Sequence, residues 1–141
     1  MNIKSIKKEF SEKNNNLFKS FFPNSNYNFK FNEINKFRKF KTVIVLGMGG
    51  SILGTKAIYS FLKYKIKKKF IFIDNLDQEK LIKTKKNYNL KNVLFLIISK
   101  SGNTTETIVN TGFFKPFLKK SNTIIIAEDK NNLLANFAKE K

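Results

Sequence analysis

The sequence predicts an α/β fold, a parallel sheet flanked by helices in the order β-α-β-α-β-α-β-α, preceded by an N-terminal helical segment. Three observations carry this. Four short apolar runs are separated by stretches long enough for a helix. The runs are continuous rather than alternating, as in strands covered on both faces. Two of them end in loops of unusual composition, at the strand ends where such sheets bind ligands.

Residues 1–40 form a polar, aromatic-rich lead. NNN at 14–16 and PNSNYN at 23–28 are turn signals. Phe10, Leu17, Phe18, Phe21 and Phe22 fit one apolar helix face, so one or two helices that pack onto a later element are expected here. From residue 41 the pattern changes, and 41–141 reads as the sheet domain.

Thr42–Leu46 is a β-branched, apolar run and the first strand. Gly47-Met48-Gly49-Gly50-Ser51 follows it. Ile52–Lys65 has helical spacing, with Ile58, Phe61 and Leu62 on one side. Phe70–Ile73 is the second strand. Asp74-Asn75-Leu76-Asp77 is a turn able to cap a helix over roughly 78–87. Val93–Ile98 is the third strand, and Ser99–Asn103 a polar loop. Thr104–Lys119 reads as a helix whose last turn is spoiled by Pro116. Thr123–Ala127 is the fourth strand and Asn131–Lys139 the last helix. Every crossover can hold a helix, which is what a parallel sheet requires.

Composition excludes several chemistries. The chain has 141 residues, 41% of them apolar, which is one domain's worth with a packed core. It has no cysteine and no histidine. Disulfides, thiolate metal sites, a cysteine nucleophile and a histidine base are therefore excluded. No run of 18 apolar residues exists to cross a membrane as a helix. MNIKSIKKEF alternates charged and apolar residues, so it does not read as a signal peptide.

The net charge of +18 raises the question of a nucleic-acid partner. Arg38 is the single arginine, so the other 27 basic residues are lysines spread along the chain. Base and phosphate-backbone recognition draws on arginine's planar fork. Abundant Lys, Asn, Ile and Phe also follow from A/T-rich codons. No nucleic acid and no membrane is expected as a partner. The positive field would still concentrate anionic metabolites.

The first loop runs Gly47-Met48-Gly49-Gly50-Ser51-Ile52-Leu53-Gly54. Three glycines in four residues let backbone approach a ligand, and a helix N-terminus follows. The Ser51 hydroxyl can cap that helix or bond a phosphate. The same glycines suit a tight turn without a ligand, and spacing alone leaves both open. The dinucleotide fingerprint would need its third glycine at Ile52, and no G-K-[ST] follows for a P-loop.

The second loop runs Ser99-Lys100-Ser101-Gly102-Asn103-Thr104-Thr105-Glu106-Thr107. Five hydroxyl residues fall in nine positions at the start of a helix, a grouping that suits a phosphate monoester. Asn103 with Glu106 fits an N-cap and a glutamate at the third helical position, a capping box. That favours a capping role for Glu106 over direct contact with substrate. Capping alone leaves the surplus of hydroxyls unexplained. The two loops together point to a sugar-phosphate pocket.

GMGGSILG (47–54) resembles the G-I-G-G-S-x-L-G motif of the glucose-6-phosphate isomerase family, and SKSGNTTET (99–107) its S-K-[ST]-x-x-T-x-E-T motif. FIFIDNLD (70–77) is similar to the family's strand ending in N-x-D, here Asn75 and Asp77. The resemblance covers roughly 41–141. It implies a sugar-isomerase (SIS) domain with a five-stranded parallel sheet. It implies reversible isomerisation of glucose 6-phosphate to fructose 6-phosphate, with no metal or organic cofactor, in the cytoplasm. The phosphate-binding hydroxyls carried over are Ser99, Ser101 and Thr104, with Lys100, Gly102 and Asn103 beside them. Gly50 and Ser51 would contact the substrate from the other loop. The family is commonly dimeric, so a homodimer is expected of the full-length form.

Family members are several hundred residues long and carry two such domains. Their glutamate base, histidine, lysine and arginine lie downstream of the motifs seen here, so no catalytic residue is carried over. The resemblance implies an N-terminal fragment that is inactive alone. It would bare apolar surface at Phe10, Phe18, Phe21, Phe22 and part of Phe113, Phe114, Phe117 and Leu118. The alternative is a stand-alone SIS module that binds sugar phosphates and regulates something else.

Overall fold

A computed structural model describes residues 30–140. The helix face expected from Phe10, Leu17, Phe18, Phe21 and Phe22 lies outside the described residues. Two units divide the chain between Asn35 and Lys36. Within the first, helix α1 spans Phe31–Asn35.

The second unit is built on β1 (Thr42–Gly47), β2 (Lys69–Ile73), β3 (Val93–Ile98) and β4 (Thr123–Ile126). Between and after them run α2 (Gly50–Leu62), α3 (Gln78–Asn87), α4 (Thr105–Phe114) and α5 (Leu133–Lys139). All strand pairs are parallel, in the order β2-β1-β3-β4. The described residues thus form a four-stranded sheet where the resemblance implies five strands.

This order makes β1 and β3 neighbours, with Gly47 paired to Ile98 in register. The chain moves one way from β1 to β2 and the other way from β2 to β3 and on to β4. Right-handed crossovers then put α2 on one face of the sheet and α3 and α4 on the other. Packing agrees. Ile44, Leu46, Ile73, Phe95 and Ile97 meet Leu81 of α3, Phe114 of α4 and Leu134 of α5. On the opposite face, Val43, Val45 and Leu94 meet Ile52 of α2 together with Phe37 and Phe40. Both faces of β1 and β3 are buried, which is why their sequences do not alternate.

Local signals account for most boundaries. Asp77 caps α3, its carboxylate accepting the Lys80 N–H at 2.9 Å, as the turn at 74–77 predicts. The helix after the second loop stops at Phe114, and a 3-10 turn over Lys115–Phe117 takes Pro116. A proline cannot extend the α-helical bonding. The last helix starts at Leu133 rather than Asn131, because Asn132 is its cap.

One apolar stripe faces solvent, and one expectation is corrected. Ile58 and Phe61 of α2 do not face the core: they are 62% and 77% exposed. Ile52 is the inward anchor, and nine residues at about 100° each leave Phe61 on the opposite side of the helix. Tyr59 packs on the sheet instead, its ring 4.8 Å from Phe70 and 5.7 Å from Phe72. Conversely, Phe114 and Leu118 are buried and Phe113 and Phe117 packed against the core, so this segment is not bare apolar surface. Phe114 is held between the rings of Phe95 and Phe113.

Candidate functional site

Both singled-out loops leave the carboxyl ends of the two central strands. A sheet whose chain reverses direction between adjacent strands opens a crevice at that point, and ligands bind there. The approach is close. A Cβ added to Gly47 would stand 2.9 Å from the carbonyl oxygen of Ile98, so only glycine fits at the end of β1. The turn then passes through Gly49 at φ +52°, a left-handed conformation that suits glycine. Gly50 is exposed and opens α2. Ser51 is half-buried, and its hydroxyl oxygen accepts the Lys100 N–H at 3.4 Å. The two loops touch through this bond.

The second loop is folded on its own hydroxyls. Ser99 is buried, and its hydroxyl lies 3.0 Å from that of Thr104 and accepts the Gly102 N–H at 3.2 Å. The Ser101 hydroxyl accepts the Asn103 N–H at 3.2 Å, a local turn. Gly102 has φ +68°. Lys100, Ser101 and Asn103 are exposed, Gly102 is buried and Thr104 is half-buried. All eight predicted residues therefore lie on two touching segments at the carboxyl end of the central strands. They differ in role: Ser99 braces the loop from beneath, whereas Lys100 and Ser101 face outward.

The expected capping box is absent. Thr104 is the N-cap of α4 and gives no side-chain cap bond. The Asn103 side chain instead accepts the Leu133 N–H of α5 at 2.9 Å. Asn103 stands one residue too early once the helix starts at Thr105, and α5 supplies it a nearer donor. Gly49 likewise gives α2 no side-chain cap. Asp77 and Asn132, by contrast, cap α3 and α5. The two helices that begin at the loops thus keep first-turn N–H groups without a side-chain acceptor, at the positive ends of their dipoles. That is the arrangement that receives a phosphate.

Beside the loops, Asp74 at the end of β2 pairs with Lys56 of α2 and, at 3.2 Å, with Lys80 of α3. The Lys56 hydrogen bond, reinforced by Lys80, holds the Asp74 carboxyl below its ordinary range. Asn110 of α4 donates to the Asn75 carbonyl at 3.1 Å, fixing the turn after β2 against α4. The sequence drew attention to Asp74 only as a turn residue, and to Asn75 as a turn residue and as part of the N-x-D resemblance. Lys56, Lys80 and Asn110 are distant in sequence, so no local signal links them. The sequence reading places Asn132 inside the last helix; the signal that could have found it as a cap is an asparagine before Leu-Leu-Ala.

A cavity of about 760 Å³ opens at the other end of the strands, lined by Lys39, Lys41, Tyr88, Lys91, Phe117 and Lys119 among others, and it touches neither loop. Among the described residues no cluster of acidic side chains could hold a metal ion.

The profile of the Phosphoglucose isomerase family matches residues 30–139. The chain belongs to that family. It is 45% identical over 84 residues to a glucose-6-phosphate isomerase from Methanocaldococcus jannaschii, covering 60% of this chain and 21% of the relative. It is 38% identical over 110 residues to the glucose-6-phosphate isomerase of Borreliella afzelii, covering 70% and 21%. The crystal structure of a glucose-6-phosphate isomerase from Chlamydia trachomatis superposes with a TM-score of 0.61 at 26% identity, over 68% of this chain and 20% of that one. The chain thus spans about a fifth of the length of the curated relatives it matches.

Proposed function

We propose that this chain carries the phosphate-binding part of a glucose-6-phosphate isomerase, the enzyme that interconverts glucose 6-phosphate and fructose 6-phosphate. The observation that carries the reading is the junction of the two loops. Two helix N-termini without side-chain caps open at adjacent strand ends, tied together between Ser51 and Lys100. Family membership supports a hexose 6-phosphate as the ligand.

Each proposed contact has a physical basis. A phosphate dianion needs several donors and local positive charge. The Gly50 N–H and the first-turn N–H groups of α4 supply donors, whereas the N–H groups of Gly102 and Asn103 are taken up within the loop by Ser99 and Ser101. The hydroxyls of Ser51, Ser99, Ser101 and Thr104 supply more, and exposed Lys100 supplies charge. A cradle of this kind binds substrate and transition state about equally, which does not accelerate the chemical step. The proton transfer needs a positioned base, worth roughly 100- to 10,000-fold. The Glu106 side chain makes no hydrogen bond or ion pair among the described residues and belongs to the phosphate motif, so it is not assigned that role.

Inorganic phosphate and fructose 6-phosphate titrated into the labelled chain should shift amide signals at 47–51 and 99–104. Shifts elsewhere only, or none, would refute the pocket. The 141-residue chain, purified free of host enzyme, should not interconvert the two hexose phosphates. Turnover by this chain would return Glu106 to consideration as a base.

A further inference from the structure

We infer that Asn132 is a positioning residue for the loop at 99–104, an inference that rests on the phosphate-binding reading of that loop. Asn132 lies thirty residues downstream and none of the family-like motifs contains it. It is buried, at 4% exposure. A Cβ added to Gly102 would stand 2.0 Å from its side-chain oxygen and 2.2 Å from its amide carbon. The amide therefore occupies the space any side chain at Gly102 would need. Gly102 is glycine both for its φ of +68° and for this contact.

The amide itself is fixed at both ends. Its nitrogen donates to the carbonyls of Glu128 at 3.1 Å and Lys130 at 2.9 Å. Its oxygen accepts the Ala135 N–H at 2.8 Å. Around it, residues 128–134 hold the loop at three further points. The Glu128 N–H donates to the Lys100 carbonyl at 2.9 Å, and the Leu134 N–H to the Gly102 carbonyl at 3.1 Å. The Leu133 N–H donates to the Asn103 side chain. The first-turn donors of α5 are thus spent on the loop and on Asn132.

This changes what Asn132 does. An N-cap normally acts on its own helix. Here the same side chain also supports Gly102 from beneath, between Ser101 and Asn103. It sets the direction in which the loop's N–H groups and hydroxyls point. Preorganised donors bind more tightly because less is lost in ordering them.

The test separates the cap from the support. Asn132→Ser and Asn132→Asp each keep an oxygen able to cap α5, but serine is too short to reach Gly102 and aspartate cannot donate to the two carbonyls. Asn89→Ala, which removes the cap of a 3-10 turn at the far end of β3, is the control for cap loss alone. Inorganic phosphate is titrated into the full 141-residue chain, with thermal unfolding measured on each variant. Partners that orient a binding group typically carry at least about tenfold in affinity, as metal ligands illustrate. The two Asn132 variants should therefore bind phosphate roughly tenfold more weakly, with displaced Gly102 and Asn103 amide signals before phosphate is added. Asn89→Ala should keep wild-type affinity. If serine does not fold, the Gly102 and Asn103 amide signals of the aspartate variant before phosphate is added carry the test, because its charge alone would repel the anion. Wild-type affinity in a folded Asn132 variant would overturn the inference and leave the phosphate reading standing. A wild-type chain that binds no phosphate at this loop would overturn both.

Discussion

The Ser51 hydroxyl oxygen stands 3.4 Å from the backbone nitrogen of Lys100, joining two loops separated by 49 positions in the chain. The bond exists because β1 and β3 are neighbours and their ends meet at Gly47 and Ile98. The Ser51 hydroxyl does not cap α2, whose N-cap is Gly49. Ser51→Ala should therefore change global stability by less than about 0.5 kcal/mol, as for a substitution at a half-exposed site. Phosphate affinity should fall, because a donor is lost and the loops are no longer tied. Calorimetric titration beside thermal unfolding checks both. Unchanged affinity would mean that the first loop does not reach the anion.

Ser99 and Thr104 share a hydrogen bond but differ in burial, so their alanine variants should separate. Each hydroxyl offered to a charged oxygen is worth roughly 1.5–3 kcal/mol of binding. Thr104→Ala should show that loss with little change in melting temperature. Ser99→Ala should weaken binding and also destabilise the fold by about 1 kcal/mol, because the Gly102 N–H loses a partner inside the protein. Equal effects on stability would contradict the bracing role of Ser99.

The sheet was legible in the sequence because its strands are continuous apolar runs and its turns carry strong signals at Asp77 and Pro116. The candidate residues were legible because glycine and hydroxyl residues are concentrated where strands end. What escaped reading was set by rotation and by distant contact. The apolar spacing of Ile58 and Phe61 is genuine, but the period of a helix does not say which of two apolar stripes meets the sheet. Asn103 has the composition of a cap, yet its side chain is drawn to Leu133, thirty residues away. The support of Gly102 by Asn132 likewise belongs to tertiary structure alone.

Asp74 gives the fold a predictable pH dependence. Its carboxyl sits between Lys56 and Lys80, and the Lys56 bond chiefly depresses its pKa below the ordinary 3.8. A depressed folded-state pKa means stability that is present above the unfolded value and lost as pH falls through the folded one. Asp74→Asn should thus be less stable than wild type near neutrality, by up to about 1 kcal/mol for a partly exposed pair. The difference should hold constant down to about pH 5 and shrink below 3.8, as the carboxyl is protonated first in the unfolded chain and, at lower pH, in the folded one. Urea unfolding of both proteins from pH 7 to pH 3 checks this. A difference that persists undiminished at pH 3 would assign the effect to packing rather than charge.

The outward face of α2 should make the chain self-associate. Leu53, Ile58, Phe61 and Tyr64 are each at least 60% exposed on this one helix and its C-terminal turn. Apolar patches beyond a few hundred Å² are uncommon on monomers and promote association. The net charge of +18 opposes that contact through long-range repulsion. Salt weakens the repulsion, the Debye length falling to about 3 Å at 1 M, while burial of apolar side chains remains favourable. Light scattering should therefore show a mass that rises with salt. Phe61→Ser, on a fully outward side chain, should lower it without changing thermal stability by more than about 0.5 kcal/mol. Phe114→Ser is the contrast. Phe114 is buried among Phe95 and Phe113, so that variant should unfold rather than disperse. A wild-type chain that stays monomeric at high salt would show that this face is stable in water and would favour a self-contained module.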